Sequence, residues 1–184
     1  GVHLISLKPR TSSVWNEKTY KVNERMTALS YEAHVKYTGR HFTFAAKSLL
    51  ASCLDHTALI GGYGISSIDP DNGEQEYTPF WHSTSWINFT CGTKWKGHFF
   101  AGYTKNLGTA DVLVSATVYG MGLDIDQVFS TNIAFSYNLP HWQIGMEYMP
   151  TTAWYGDTDK VSGKTVNTHS VTNHRILGLV MYYF

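Results

Sequence analysis

Hydrophobic and polar residues alternate with a period of two along much of this chain. In TALSYEAHVKYTG, residues 27–39, every second residue from Leu29 to Tyr37 is apolar, and polar residues lie between them. KWKGHFFAGYT (94–104), FSTNIAFSYN (129–138) and WQIGMEY (142–148) repeat the pattern. Such alternation is typical of a β-strand with one apolar and one polar face, so these four stretches predict strands.

Less regular alternation marks four further stretches: 2–10, 41–53, 78–91 and 172–184. Together they predict roughly eight strands of about 9 to 14 residues, longer than the usual strand of a globular protein. Helical periodicity is almost absent. The chain is therefore predicted to be all-β.

The connections between these strands alternate strictly between short and long. Tight reversals lie near 37–41, 91–94 and 138–141, and long polar segments lie near 11–25, 54–77, 105–126 and 155–171. Bacterial outer-membrane barrels have short periplasmic turns and long extracellular loops. We therefore expect residues 1–184 to form one antiparallel transmembrane β-barrel domain, or the C-terminal part of one, whose extracellular loops are the four long segments.

Aromatic residues flank the short turns and the last strand. On adjacent strands they would form a girdle at one lipid–water interface, and the predicted members are Tyr37, Phe42, Phe89, Trp95, Tyr137, Trp142, Tyr182 and Phe184. The alternative is a soluble β-sandwich or lipocalin-like barrel, in which aromatic residues close the ends. More even connection lengths would favour that alternative.

Charged and imidazole side chains fall on the opposite face of the same strands. They are costly against lipid and tolerated in a watery lumen, so we predict that the lumen is lined by Glu32, His34, Lys36, Lys47, Lys96, His98 and Glu147. The three lysines would favour anions slightly. In a closed eight-stranded barrel, these groups would instead form an internal salt-bridge network.

The bulk composition excludes several classes of protein. The 14 basic and 14 acidic residues balance, which gives no electrostatic case for nucleic acid. The chain has no run of about 18 apolar residues, as a transmembrane helix would require, and Cys53 and Cys91 are isolated. Aromatic residues make up 15% of the chain, which suits strands and membrane interfaces.

Weaker chemical signals do not add up to a catalytic or metal site. Asp69–Glu74 resembles a calcium loop, but its spacing is one residue short, so we interpret it as a turn. His82, Ser83 and Thr84 could suggest an outer-membrane lipase, yet no G-x-S-x-G motif accompanies them. We predict no enzyme activity, no cofactor and no metal.

Several stretches resemble a known family. GYTKNLGT (102–109), EYTPFWHST (76–84), YNLPHWQIGMEY (137–148), TTAWYGD (151–157) and NHRILGLVMYYF (173–184) are similar to the C-terminal half of DcaP-like porins of Bacteroidetes-type bacteria. The resemblance implies an outer-membrane homotrimer of roughly sixteen-stranded barrels, of which this chain would be one half. It also implies a channel for passive diffusion of small hydrophilic solutes, anionic ones among them.

The terminal strand resembles an assembly signal. Its aromatic end suggests recognition by the barrel-assembly machinery, although Gly178 lies six positions before Phe184 rather than the expected five. Leu177, Leu179 and Met181 make the second face apolar as well, which a lumen-facing side does not explain. A non-conducting scaffold or adhesion barrel that displays its loops remains the alternative function. In the channel, segment 105–126 is expected to fold inward and narrow the mouth.

Overall fold

A computed structural model describes residues 1–57 and 59–184. In these residues the chain forms twelve strands and one 3-10 turn, Asp55–Thr57. The strands are β1 (Val2–Leu7), β2 (Ser12–Trp15), β3 (Lys18–Lys21), β4 (Met26–Thr38), β5 (Phe42–Ser52), β6 (Gly61–Ile68), β7 (Gln75–Gly92), β8 (Trp95–Thr109), β9 (Val118–Met121), β10 (Ile125–Asn138), β11 (Trp142–Thr158) and β12 (Thr165–Tyr182). The predicted all-β class is confirmed.

Eight strands form one antiparallel sheet in the order β1-β4-β5-β7-β8-β10-β11-β12. From β4 onward, each strand pairs with the next long strand along the chain. Strand β6 extends from β7 and also pairs with β9, while β2 and β3 form a separate hairpin. Over the described residues, β1 and β12 do not pair with each other, so the sheet has two free edges and no closed barrel is seen.

The long connections contain more regular structure than the sequence predicted. The predicted loop at 155–171 is mostly strand, because β11 runs to Thr158 and β12 starts at Thr165. Only 159–164 turn, with Gly163 at a φ of 63° and Ser162 donating to the Asp159 carboxylate. Likewise 11–25 contains β2 and β3, 54–77 contains β6, and 105–126 contains the end of β8 and all of β9. Strand pairing satisfies backbone groups that a free loop would leave to water.

The register separates two faces of the sheet. Directly paired residues of antiparallel strands project to the same side, so Tyr37↔Phe44, Phe89↔Phe99, Phe135↔Met146 and Ile144↔Val180 share one side. We call this side the apolar face; its other members include Val35, Ala46, Ile87, Ala101, Ile133, Tyr148 and Ile176. The opposite side, on which Glu32, His34, Lys47 and Asn132 lie, is the polar face.

Most of the buried residues cover one end of the polar face. Three small clusters lie there, around Met26 with Cys53, Leu49 with Leu54, and Phe80 with Leu113. Each joins a strand of the sheet to a residue of the segments after β5 and β8. We call this region the capped end. Toward the short turns, the polar face forms an open trough.

An ion pair fastens the β2–β3 hairpin region to the capped end. The buried carboxylate of Glu24 accepts hydrogen bonds from the guanidinium of Arg10, from the Tyr77 hydroxyl at 2.5 Å and from the Gln75 amide at 2.8 Å. Burial alone would raise the pKa of Glu24, but these donors outweigh it and hold the pKa below its ordinary value. Arg10 also donates to the Gly73 carbonyl.

Candidate functional site

The predicted lumen and girdle residues lie on opposite sides of the sheet. The register places Glu32, His34, Lys36, Lys47, Lys96, His98 and Glu147 on the polar face. It places Tyr37, Phe42, Phe89, Trp95, Tyr137, Trp142 and Tyr182 on the apolar face, and Phe184 follows Tyr182 at the chain end. The trough is therefore the candidate site.

The aromatic residues form three contacting groups in a row beside the short turns. Ring centroids lie 5.5 Å apart for Tyr37 and Phe42, 5.8 Å for Phe42 and Phe89, and 4.5 Å for Trp95 and Tyr137. Trp142 with Tyr182 and Tyr182 with Phe184 continue it at 4.8 and 5.2 Å. This arrangement suits the headgroup level of a bilayer.

A second aromatic row lies six to eight residues along the strands from the first. Its members on the apolar face are Tyr31, Tyr103, Phe129 and Tyr148. At about 3.4 Å per residue the two rows are about 20–27 Å apart along a strand, or about 16–21 Å in height for a tilt of about 40°. The exposed apolar band between them is shorter than the roughly 25 Å of outer-membrane barrels.

Two acidic residues in the trough are already paired with bases. Glu32 contacts Lys47 Nζ at 2.6 Å and His34 Nδ1 at 2.9 Å. Glu147 accepts a hydrogen bond from Arg175 at 2.5 Å. Arg175 was missed by the sequence prediction, although its place between the outward His174 and Ile176 could have assigned it to the polar face.

Lys36 and Lys96 differ from Lys47. Neither has a carboxylate within ion-pair distance in the described residues, and both lie near the short turns. His98 shares a hydrogen bond with Thr90 at 3.1 Å. The charge left uncompensated on this part of the polar face is therefore positive.

The centre of the trough carries a feature that the sequence prediction missed. Phe100 pairs with Asn88 on one side and with Asn132 on the other, and Trp86 lies 6.3 Å from it between ring centroids. A groove of about 390 Å³ opens here, with Gln143, Glu147 and the apolar Leu177 and Leu179 along its β11–β12 side. The inward leucines of the last strand are thus one wall of a groove.

The segment after β8 folds onto the polar face, at the capped end. Leu113 packs with Phe80 and Leu123, and the Val114 amide donates to the Ile65 carbonyl at 2.9 Å. Val112 and Val114 remain exposed. Of the three apolar residues at 112–114 only Leu113 is buried, so the segment covers one end of the trough without filling it.

The residues considered for catalysis do not assemble. His82 and Ser83 lie on opposite faces of β7, because they are successive strand residues. Thr84 shares the face of His82 but hydrogen-bonds with Thr104 at 3.0 Å. Both ring nitrogens of His82 are buried and have no hydrogen-bond partner among the residues that the structure describes, and burial lowers the pKa of His82 to about 4.

The residues considered for metal binding form turns. The Asp71 amide donates to Asp69 Oδ1, the Glu74 amide donates to Asn72 Oδ1, and the Gly73 amide closes the turn onto the Asp69 carbonyl. Across the described part of the chain, no group of three or more His, Cys, Asp or Glu side chains is arranged to hold a metal ion. The Asp69–Glu74 segment is a β-hairpin turn, as interpreted from its sequence.

Comparisons with known proteins give no family. No family model matches the chain, and neither the curated proteins nor the solved structures yielded a match. The resemblance to DcaP-like porins therefore stays a prediction. Among the residues that the structure describes, no helix has the length and apolarity to cross a membrane.

Proposed function

We propose that this chain is an outer-membrane β-barrel, or half of one, that allows small hydrophilic solutes to diffuse passively, in the manner of the DcaP-like porins that its sequence resembles. Its location would be the bacterial outer membrane. The apolar face would meet lipid and the trough would line the lumen. The proposal also includes a homotrimer and recognition of β12 by the barrel-assembly machinery.

The stagger of the short turns is the observation that carries the barrel proposal. At the first turn Thr38 of β4 pairs with Thr43 of β5, which pairs in turn with Thr90 of β7. Strand β7 extends two residues beyond Thr90, to Gly92, before the second turn begins. The third turn again lies two residues beyond the second, because Lys96 pairs with Ser136 and the strand ends at Asn138. Each pair of strands therefore shifts by two residues.

This stagger gives the tilt of the strands. Two residues correspond to about 6.8 Å along a strand, and two strands to about 9.6 Å across the sheet, which is a slope of about 35°. Strands of outer-membrane barrels tilt by about 35–45°. The sheet has an even number of strands and two antiparallel free edges, as closure at eight or at sixteen strands requires.

The exposed polar face supports a conducting rather than a filled barrel. In a closed eight-stranded barrel the inward side chains fill the interior, but His34 and Lys36 are exposed here and the trough is open. A wider barrel, of which these eight strands are a part, accommodates such a trough. Constriction would come from the segment at 110–123 at the capped end.

Planar-bilayer recording of the purified chain tests the function. Discrete conductance steps, blocked or reduced when the apolar-face residue Ile133 is replaced by Lys, would support a membrane-spanning channel. The matched replacement Ala134→Lys on the polar face should leave insertion intact. Insertion without conductance would favour the scaffold or adhesion alternative, and a stable monomer in water without detergent would remove the membrane proposal.

A further inference from the structure

The polar face carries an aromatic platform, defined as the side chains of Trp86 and Phe100. An ideal Cβ on Gly102 would lie only 2.9 Å from Phe100 Cζ and 3.1 Å from Cε1. The tip of the Phe100 ring therefore occupies the space that a side chain at position 102 would fill. The ring also lines the groove of the trough.

Carboxamides flank this ring on both neighbouring strands. Asn88 and Asn132 are the direct cross-strand partners of Phe100, and such partners have Cβ atoms about 5 Å away. A carboxamide offers both hydrogen-bond donors and an acceptor, so it pairs with a hydroxyl in either sense. Gln143 adds a third carboxamide to the groove; its Oε1 accepts from the Tyr183 hydroxyl at 2.8 Å, so its amide group is the part that a ligand can use.

The groove around Phe100 has no uncompensated charge. Its one carboxylate, Glu147, is paired with Arg175 at 2.5 Å and also accepts a hydrogen bond from Asn132, whose carbonyl oxygen stays available to a ligand. The unpaired Lys36 and Lys96 do not line the groove. Leu177 and Leu179 form an apolar wall opposite the carboxamides. A volume of about 390 Å³ lies in the range of small-molecule sites, about 300–1,000 Å³.

From this arrangement we infer that the groove binds an uncharged, hydroxyl-rich solute such as a small sugar, whose C–H face stacks on the platform while its hydroxyls bond the carboxamides. Aromatic rings carry negative charge on their faces and attract the weakly positive hydrogens of such a C–H face. An anion would bind better near the unpaired Lys36 than in this groove, where it would meet carboxamides and a carboxylate that is already paired. This inference rests on the proposed function, since it names a solute class for the same trough.

Calorimetric titration of the detergent-solubilised chain with maltotriose tests the inference. We expect saturable binding, weakened at least about tenfold in Phe100→Ala, because most of the stacking surface is removed. Gly102→Val should weaken binding as well, because the new side chain lifts the ring. The matched control is Phe89→Ala, which removes the same side chain from the apolar face at a position that does not line the groove.

The outcomes separate the inference from the function. Absence of saturable maltotriose binding, equal losses in Phe89→Ala and Phe100→Ala, or binding of inorganic phosphate in place of the sugar would each overturn the inference. Circular dichroism of each variant shows whether the strands are retained. A conducting chain that binds no sugar leaves the function standing, whereas a sugar-binding chain without conductance overturns the function alone.

Discussion

Two carboxylates show how differently the capped end and the trough are built. Glu24 at the capped end is buried and accepts from Arg10, Tyr77 and a backbone amide. Glu147 in the trough also accepts from an arginine, but Arg175 is more than half exposed. An arginine–glutamate pair therefore stabilises a packed region at the capped end, whereas the same kind of pair in the trough stays exposed to solvent.

The largest expected difference between the two ends follows from breaking these two pairs. Glu24→Gln removes the buried charge that pairs with the partly exposed Arg10 and should destabilise the fold by about 2 kcal/mol. Glu147→Gln should cost less than about 1 kcal/mol, because solvent screens the pair. Urea unfolding in detergent measures both, and equal losses would contradict the contrast between the two ends.

Acid should weaken the capped end through His82. The pKa of His82 is about 4 in the fold and about 6.5 in an unfolded chain, so the folded state disfavours protonation. Stability is therefore full above pH 6.5 and declines as the pH falls toward 4, by up to about 3 kcal/mol. Unfolding at pH 7 and at pH 4.5 measures the decline.

The non-titrating variant His82→Asn is the control for this decline. It carries no group that titrates in this range, so it should lose most of the difference between the two pH values. A variant with the same acid sensitivity as the unmodified chain would show that His82 is not the cause.

Ion selectivity should depend on the trough and not on the capped end. Replacing Lys36 and Lys96 together by Glu should shift permeation from anions toward cations by roughly threefold or more, because fixed charges in a pore set its selectivity. Reversal potentials in a salt gradient measure the shift. Arg10→Gln should leave the selectivity of any channel that still forms unchanged, and a shift in that variant would contradict the assignment of the faces.

The smallest expected effect concerns the segment over the trough. Removing residues 111–117 deletes Leu113 from its cluster with Phe80 and Leu123 and opens the capped end. Single-channel conductance should rise by less than about twofold, because the segment covers the mouth without filling it. Unchanged conductance would show that the segment does not narrow the pathway.

The alternation of the sequence was sufficient to assign side chains to faces. Leu29, Val35 and their partners are on one side because successive strand residues point in opposite directions, and this rule needs no knowledge of neighbours. The tight turns were predictable for the same local reason. The ends of the strands could not be predicted, because strand pairing beyond the apolar band depends on which polar segments come to lie side by side in the fold.

The contacts across strands could not be predicted from the chain alone. Arg10 and Glu24 are separated from Tyr77 by more than fifty residues, and their meeting depends on how the hairpins pack. The position of the Phe100 ring depends on Gly102 in its own strand and on Asn88 and Asn132 in the two neighbouring strands. These contacts depend on the register of the paired strands, and a shift of the register by one residue would abolish them.

The nearest-neighbour order of the sheet has a consequence for how the protein forms. From β4 to β12 each long strand pairs with the one before it, so each hairpin can close over a short stretch of chain before the next one exists. Local closure costs little entropy and is fast. If the sheet closes into a barrel as proposed, the slow step would be the joining of its two outermost strands, and catalysis of folding would act most strongly there.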